Sequence, residues 1–320
     1  AYDYPTSFFE KRIWRIERQM PHPDRIREAI ELLINAKKPY IIAGGGIHYS
    51  EAWTELLEFS ERFGIPVGET HAGRGAIQNG SELLMGGTGH LGTPCAGKIA
   101  EESDLVLCIG TRLHDFVTGS NSAFQNPEVK FISVNVNSRD AHKLGALPIT
   151  SDARLALSAL IECGKDMGLE ANTSWLTTIK AERKNWEEIK ETQVFIERSG
   201  EKISQGHLIG ILNEEMKDGD TLLAAAGTIP SDLTKLFDTR GGKKVHIEFG
   251  NSCMGYDIPA AIGVRLAGTE DEIYVLMGDG NYQMHPMEFV TAMQERTKIT
   301  VILNVNYGYQ SIHGHQKALV

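Results

Sequence analysis

The chain is short of cysteine, of basic runs and of long apolar runs, and each shortage removes a class of protein. Its four cysteines, Cys95, Cys108, Cys163 and Cys253, are scattered, with no Cys-x-x-Cys pair and no histidine at zinc-site spacing, which argues against a disulfide scaffold or a structural zinc site. Reduced, mostly buried thiols of a cytoplasmic protein are expected instead. Lys and Arg number 32 against 42 Asp and Glu, a formal net charge of −10, with no Lys/Arg-rich stretch to offset it. A nucleic-acid or anionic-membrane partner is therefore not expected. No apolar stretch approaches the roughly 20 residues of a membrane-spanning helix. The opening AYDYPTSFFEKR lacks both an initiating Met and the form of a signal peptide, so the chain is expected to belong to a longer protein.

What is present suits layered α/β architecture. A length of 320 residues favours two domains, and 41% hydrophobic residues with 33 glycines fit buried strands joined by tight loops. Residues 1–23 read as a linker that ends in Pro21-His22-Pro23, which cannot continue a helix. Asp24 is expected to cap a helix with Ile26, Ala29, Ile30 and Leu33 on one face, closed by Lys37-Lys38. Apolar runs then alternate with helical patterns, and strands are predicted at 40–43, 65–67, 105–109 and 131–136. This alternation predicts a parallel, doubly wound unit of Rossmann type over 24–162. Gly44-Gly45-Gly46 follows its first strand but lacks the spaced Gly-x-Gly-x-x-Gly and a ribose-binding acid, so a structural role is favoured over a dinucleotide site. Glu69, His71 and His90 fall on predicted loops, where polar side chains near strand ends can face a ligand, although a lone histidine there is expected to be solvated or backbone-bonded. Residues 163–200 turn charged and helical, and Trp175 and Trp186 mark one docked side of a connector. Ser204 is then expected to cap a helix with Leu208, Ile211 and Leu212 inward.

The remaining stretch, 201–320, carries the chemistry. Gly278-Asp279-Gly280 ends the apolar run 273–277, and after 25 intervening residues Asn306-Tyr307-Gly308 follows a second run, 299–304. Pro286 is expected to open a helix between them with Phe289, Val290 and Met293 on one face. A strand, crossover helix and strand in one parallel sheet bring both strand ends to the same edge. Asp279 and Asn306 would then meet. A carboxylate, an amide oxygen and the Gly308 carbonyl make hard oxygen ligation suited to Mg2+ or Ca2+, with phosphate oxygens and water completing the shell. Gly278 and Gly280 would let the backbone bend closely around a diphosphate. A βα loop with a solvated Asp is the plain alternative for the tripeptide alone.

The paired pattern resembles the signature of the thiamine-diphosphate-dependent enzymes, Gly-Asp-Gly followed some two dozen residues later by Asn. The segment NSCMGYDIPAAIGV (251–264) and the loop Ala226-Gly227-Thr228-Ile229 resemble the same family. The resemblance implies two doubly wound parallel-sheet domains, a Rossmann-like central one and one, incomplete at its C-terminus, that binds thiamine diphosphate with Mg2+. By that match Asp279, Asn306 and Gly308 would hold the metal. Gly227, Thr228, Ile229, Gly278, Gly280, Asn281 and Tyr307 would contact the cofactor. The Ser252 carbonyl would accept from the aminopyrimidine, and Met254 would wedge under the thiazolium ring. On its own, Met254 would be ordinary core, in a segment with Ile258, Ile262 and Leu266 at helical spacing.

AYDYPTSFFEKR, AGTIPSDL and EFGNSCMGYD are more similar to one branch of the family than to the acetolactate synthases at large. That branch implies hydrolytic carbon–carbon cleavage of a cyclic 1,2-dione, trihydroxycyclohexane-1,2-dione, in inositol catabolism, with the thiazolium as electron sink. An acetolactate-synthase-like carboligase acting on 2-keto acids, or a non-catalytic scaffold, are the alternatives. The family also needs an amino-terminal domain, normally from a partner subunit, whose glutamate tautomerises the aminopyrimidine. No segment here matches it, so the catalytic glutamate is expected outside these residues, in a homo-oligomer, and the chain alone is expected to be inactive.

Overall fold

The computed structural model describes residues 2–78, 80–248 and 250–319. Its first unit is built on a six-stranded parallel sheet in the order β3-β2-β1-β4-β5-β6, with β1 Pro39–Ala43, β2 Val67–Glu69, β3 Leu84–Gly87, β4 Leu105–Ile109, β5 Lys130–Asn135 and β6 Leu147–Thr150. Helices cover both faces, so every residue of β1 and β4 is buried, as expected of a parallel sheet packed on both sides. The order reverses between β1 and β4, and there the glycine run has a mechanical explanation. A Cβ on Gly44 would lie 2.3 Å from the Gly110 carbonyl oxygen, and one on Gly46 would lie 2.5 Å from Gly110 Cα. Two loops touch backbone to backbone, which side chains would prevent.

Several boundaries differ from the sequence expectation, each for a local reason. The first helix is Pro23–Asn35, and its N-cap is His22, whose Nδ1 accepts from the Asp24 amide at 3.3 Å. Pro23 takes the first helical position and Asp24 the second, because proline at N1 lacks an N–H that would otherwise need a partner. Lys37 and Lys38 lie beyond the helix and give their backbone N–H groups to the Asp104 carboxylate. β2 starts at Val67 and not at Ile65, because Ile65 is held to Ser60 in the preceding turn by its N–H and by its carbonyl. β3 and β6, the edge strands of this sheet, match no expected strand.

Helix Thr173–Ile189 forms the connector, with Trp175 and Trp186 buried and the Trp175 indole N–H donating to the Pro39 carbonyl at 3.0 Å. Ser204 caps helix Gln205–Glu215 through the His207 N–H, as the sequence suggests. Ile209 and Leu212 form its buried side, while Ile211 is exposed.

The second unit is a four-stranded parallel sheet, β10-β9-β7-β8, with β7 Thr221–Ala224, β8 Lys244–Ile247, β9 Ile273–Gly278 and β10 Thr300–Asn304. The crossover between β9 and β10 contains helix Glu288–Gln294, which starts two residues after Pro286. Ala292 and half-buried Phe289 face the sheet, whereas Val290 and Met293 are exposed, so the predicted apolar face is only partly the packed one. Helix Asp257–Leu266 likewise buries Ile258 and Ile262 but leaves Leu266 exposed. One apolar cluster joins the two units, running from Tyr40 and Val106 through Trp175 to Leu222 and Leu276.

Candidate cofactor and metal site

The chain leaves β7 for β8 on one side and reaches β9 on the other, so the order of the second sheet reverses between β7 and β9. Crevices beyond the carboxyl ends of strands at such a reversal are where open α/β sheets hold ligands. A cleft of about 230 Å3 lies at this point. Gly227, Thr228 and Ile229 line it from the loop after β7, and Gly278, Asp279, Gly280 and Asn281 line it from the end of β9. Ser252 and Met254 come from the loop before helix Asp257–Leu266, and Asn306 and Gly308 come from beyond β10.

Register explains why the two halves of the motif meet. β9 and β10 pair in parallel with Gly278 opposite Asn304, so Asp279 and Asn306 leave the sheet side by side. Asp279 Oδ1 accepts the Gly280 N–H at 3.0 Å and Oδ2 accepts the Gly308 N–H at 3.2 Å. With its nitrogen turned inward, the Asn306 amide donates to Asp279 Oδ1 at 3.1 Å and to the Gly308 carbonyl at 2.8 Å. Turned over, the same amide completes a cluster of three oxygens, from Asp279, Asn306 and Gly308. Three converging oxygens repel one another unless a cation lies among them, so this donor set fits Mg2+. Asp279 is its one carboxylate, and no group of three His, Cys, Asp or Glu side chains suited to a metal occurs among the described residues. Phosphate oxygens and water would have to complete the shell.

The glycines fit a diphosphate. Gly227 has φ +97°, and a Cβ on Gly227 or Gly278 would meet nothing within 4 Å, which leaves their backbone open to the cleft. A Cβ on Gly280 would instead lie 2.6 Å from the Tyr309 ring. Tyr309, which the sequence reading did not single out, lines the cleft. Tyr307, expected to contact the cofactor, does not line the cleft: its backbone is left-handed, φ +62°, and its ring lies at the surface, where Lys202 Nζ sits 5.1 Å from its centroid.

Three polar residues behind the cleft also escaped the sequence reading. Glu248 accepts the N–H groups of Gly250, Asn251 and Cys253 at 2.8, 3.1 and 2.8 Å, shaping the loop that presents Ser252 and Met254. Burial pushes its carboxyl up, but the backbone donors of that loop outweigh burial and bring it below the usual value. Gln205 Oε1 accepts from Thr228 Oγ1 at 3.2 Å and from Asn304 Nδ2 at 2.9 Å, bridging the loop after β7 to the end of β10. Asp257, fully buried at the start of its helix, accepts the Ala225 N–H at 2.8 Å and the Asn281 amide at 3.2 Å. An acid opening a helix was the available signal for Asp257, since carboxylates favour the first turn.

Burial raises the Asp257 pKa to about 6, against the opposing pull of its own amide, Ala225 and Asn281. A folded value above the unfolded one, about 3.9, means that stability from this group is complete below about pH 4 and is lost as pH rises through about 6. Thermal melts of wild type and Asp257→Asn without cofactor should therefore shift in favour of the variant between these pH values. A constant difference would show that Asp257 does not titrate in that window.

The loop residues of the first unit take different roles. Glu69, expected on a loop where it could face a ligand, instead ends β2 and is fully buried, pairing with Arg74 and accepting the Ile77 N–H. His71 is half-buried, and burial, followed by the charges of His114 and Arg74, lowers its pKa to about 4. His90 is exposed. Of the cysteines, Cys95 and Cys108 are buried, Cys163 is half-buried and Cys253 is exposed, so burial is less general than expected. No described helix is long and apolar enough to cross a membrane.

The sheet reversal, the oxygen cluster and the glycine loops define a diphosphate- and metal-binding class, and comparison with known families identifies it. Residues 26–160 match the central domain of the thiamine pyrophosphate enzymes, and residues 225–319 match their C-terminal TPP binding domain. The chain belongs to this family, for which thiamine pyrophosphate is another name of thiamine diphosphate. It is 40% identical over 337 residues to the 3D-(3,5/4)-trihydroxycyclohexane-1,2-dione hydrolase of Clostridium perfringens (strain 13 / Type A), covering 99% of this chain and 53% of the relative. It is 38% identical over 339 residues to the enzymes of that name from Bacillus cereus (strain ZK / E33L) and Bacillus anthracis (strain A0248), covering 99% of this chain and 52% of each. The chain thus spans about half the length of the curated relatives it matches.

Proposed function

We propose that the full-length protein is a thiamine diphosphate- and Mg2+-dependent hydrolase that cleaves a carbon–carbon bond of trihydroxycyclohexane-1,2-dione in inositol catabolism. The observation that carries the cofactor reading is the convergence of Asp279, Asn306 and the Gly308 carbonyl beside open glycine loops. The substrate reading rests on the likeness to the dione hydrolases.

In this reading Asp279, Asn306 and the Gly308 carbonyl hold the cation. The backbone of Gly227, Thr228, Gly278, Gly280 and Asn281 receives the diphosphate, and Ile229 closes the side of the cleft. Met254 supports the thiazolium ring, and the Ser252 carbonyl accepts from the aminopyrimidine. When bound, the thiazolium supplies the electron sink for bond cleavage. The protein's part is to orient that group and neutralise its phosphate charge in a partly desolvated cleft. The glutamate that acts on the aminopyrimidine is proposed to come from an amino-terminal domain across a homo-oligomeric interface, in a cytoplasmic enzyme.

Incubating the full-length protein, thiamine diphosphate and Mg2+ with the cyclic dione should yield the ring-opened deoxyglucuronate acid, while pyruvate should yield no acetolactate. Acetolactate formation without dione turnover would replace this assignment with the carboligase reading. Turnover of neither would favour a non-catalytic scaffold.

A further inference from the structure

We propose that Asp257 is the positioning residue of the cofactor site, fixing the loop after β7 and the Asn281 side chain at a set separation through its two carboxylate oxygens. This inference rests on the cofactor reading above.

Asp257 faces the site from behind: Oδ1 accepts from Ala225, directly before the Ala226-Gly227-Thr228 loop, and Oδ2 accepts from Asn281, directly after Gly280. The Asn281 amide also donates to the Ala226 carbonyl at 3.2 Å, closing a small network over both loops. One buried group therefore ties together the two segments that would flank a diphosphate.

A carboxylate is an expensive choice here. Its donors are neutral amides, and a charge without a cationic partner is disfavoured in the interior. Asparagine would be nearly isosteric and uncharged, but it has only one acceptor oxygen. Its NH2 would then face either the Ala225 N–H or the Asn281 NH2, donor against donor. The double demand for acceptors explains why an acid stands where an amide would cost less. A carboxylate kept only to cap its helix would need no contact with either cofactor loop.

The test uses full-length protein carrying Asp257→Asn, Asn281→Ala or both, with thiamine diphosphate binding measured by calorimetry at saturating Mg2+. Apo-protein melting is measured alongside. Each single variant should bind thiamine diphosphate about ten-fold more weakly, on the scale of a lost buried hydrogen bond. The double variant should bind no more weakly than the weaker single, because the two residues act as one unit. The apo melting temperature of Asp257→Asn at pH 7 should not fall, which separates positioning from a purely structural role.

Unchanged affinity in Asp257→Asn, or fully additive effects in the double variant, would overturn the proposal. If Asp257→Asn does not fold, hydrogen exchange in Asn281→Ala decides: faster exchange at 225–227 supports the proposal, and unchanged exchange overturns it. Wild-type protein that binds no thiamine diphosphate in the same titration would remove the cofactor reading itself, and this proposal with it.

Discussion

Asp279→Ala in the full-length protein is expected to abolish magnesium-dependent binding of thiamine diphosphate. Asp279 supplies the one carboxylate of the three-oxygen cluster, and Asn306 and the Gly308 carbonyl offer only neutral oxygens. A divalent cation between a diphosphate and two neutral ligands loses its main protein counter-charge. Changes behind a metal site typically cost 10–100-fold, so loss of a direct ligand should exceed about 100-fold. The Gly280 and Gly308 N–H groups also lose their acceptor, which loosens both strand ends. Calorimetry at fixed Mg2+ reads the effect, and unchanged affinity would remove the metal assignment. Asp279→Asn should fall between wild type and alanine, because it keeps an oxygen ligand and loses the charge.

Glu69→Ala should produce the largest loss of stability. Arg74 is 4% exposed, and its Nη1 pairs with Glu69 Oε2 while its Nη2 donates to the Phe237 carbonyl at 2.6 Å. Removing the carboxylate leaves a buried guanidinium with one neutral acceptor, and breaking such a pair costs about 3–5 kcal/mol. The exposed pair Arg25–Glu28, by contrast, should contribute under about 1 kcal/mol. Glu69 also accepts the Ile77 N–H at 2.9 Å, so its loss frees a backbone group as well.

Phe237 follows helix Ile229–Leu236, whose first residue lines the cofactor cleft. The damage should therefore reach the second unit. Denaturant unfolding of Glu69→Ala checks the size of the loss, and Glu69→Leu with Arg74→Met should recover most of it, since apolar residues of similar volume remove both charges. A loss below about 1 kcal/mol would mean that water reaches Arg74.

Much of this organisation was legible along the chain. β1, β4, β5 and β9 lie at or within one residue of their predicted positions, because central parallel strands are apolar on both faces and stand out as short β-branched runs; β10, an edge strand, was legible too because its run 299–304 is apolar. The other edge strands were silent for the opposite reason. β3 is Leu-Met-Gly-Gly, β6 contains Pro148, and β8 is Lys-Val-His-Ile with a largely open burial pattern. Their strand character comes from pairing with a neighbour.

The sequence by itself determined the metal motif, the glycine loops and their place at strand ends, because each depends on residue type and short spacing within one βαβ unit. Only the tertiary structure decided which residues stand behind them. Asp257, Gln205, Glu248 and the Glu69–Arg74 pair act through contacts that chain distance does not predict, as between Arg74 and Phe237 or between Gln205 and Asn304. It also decided that Tyr309 and not Tyr307 faces the cleft, since a left-handed backbone at Tyr307 reverses which neighbouring side chain points inward.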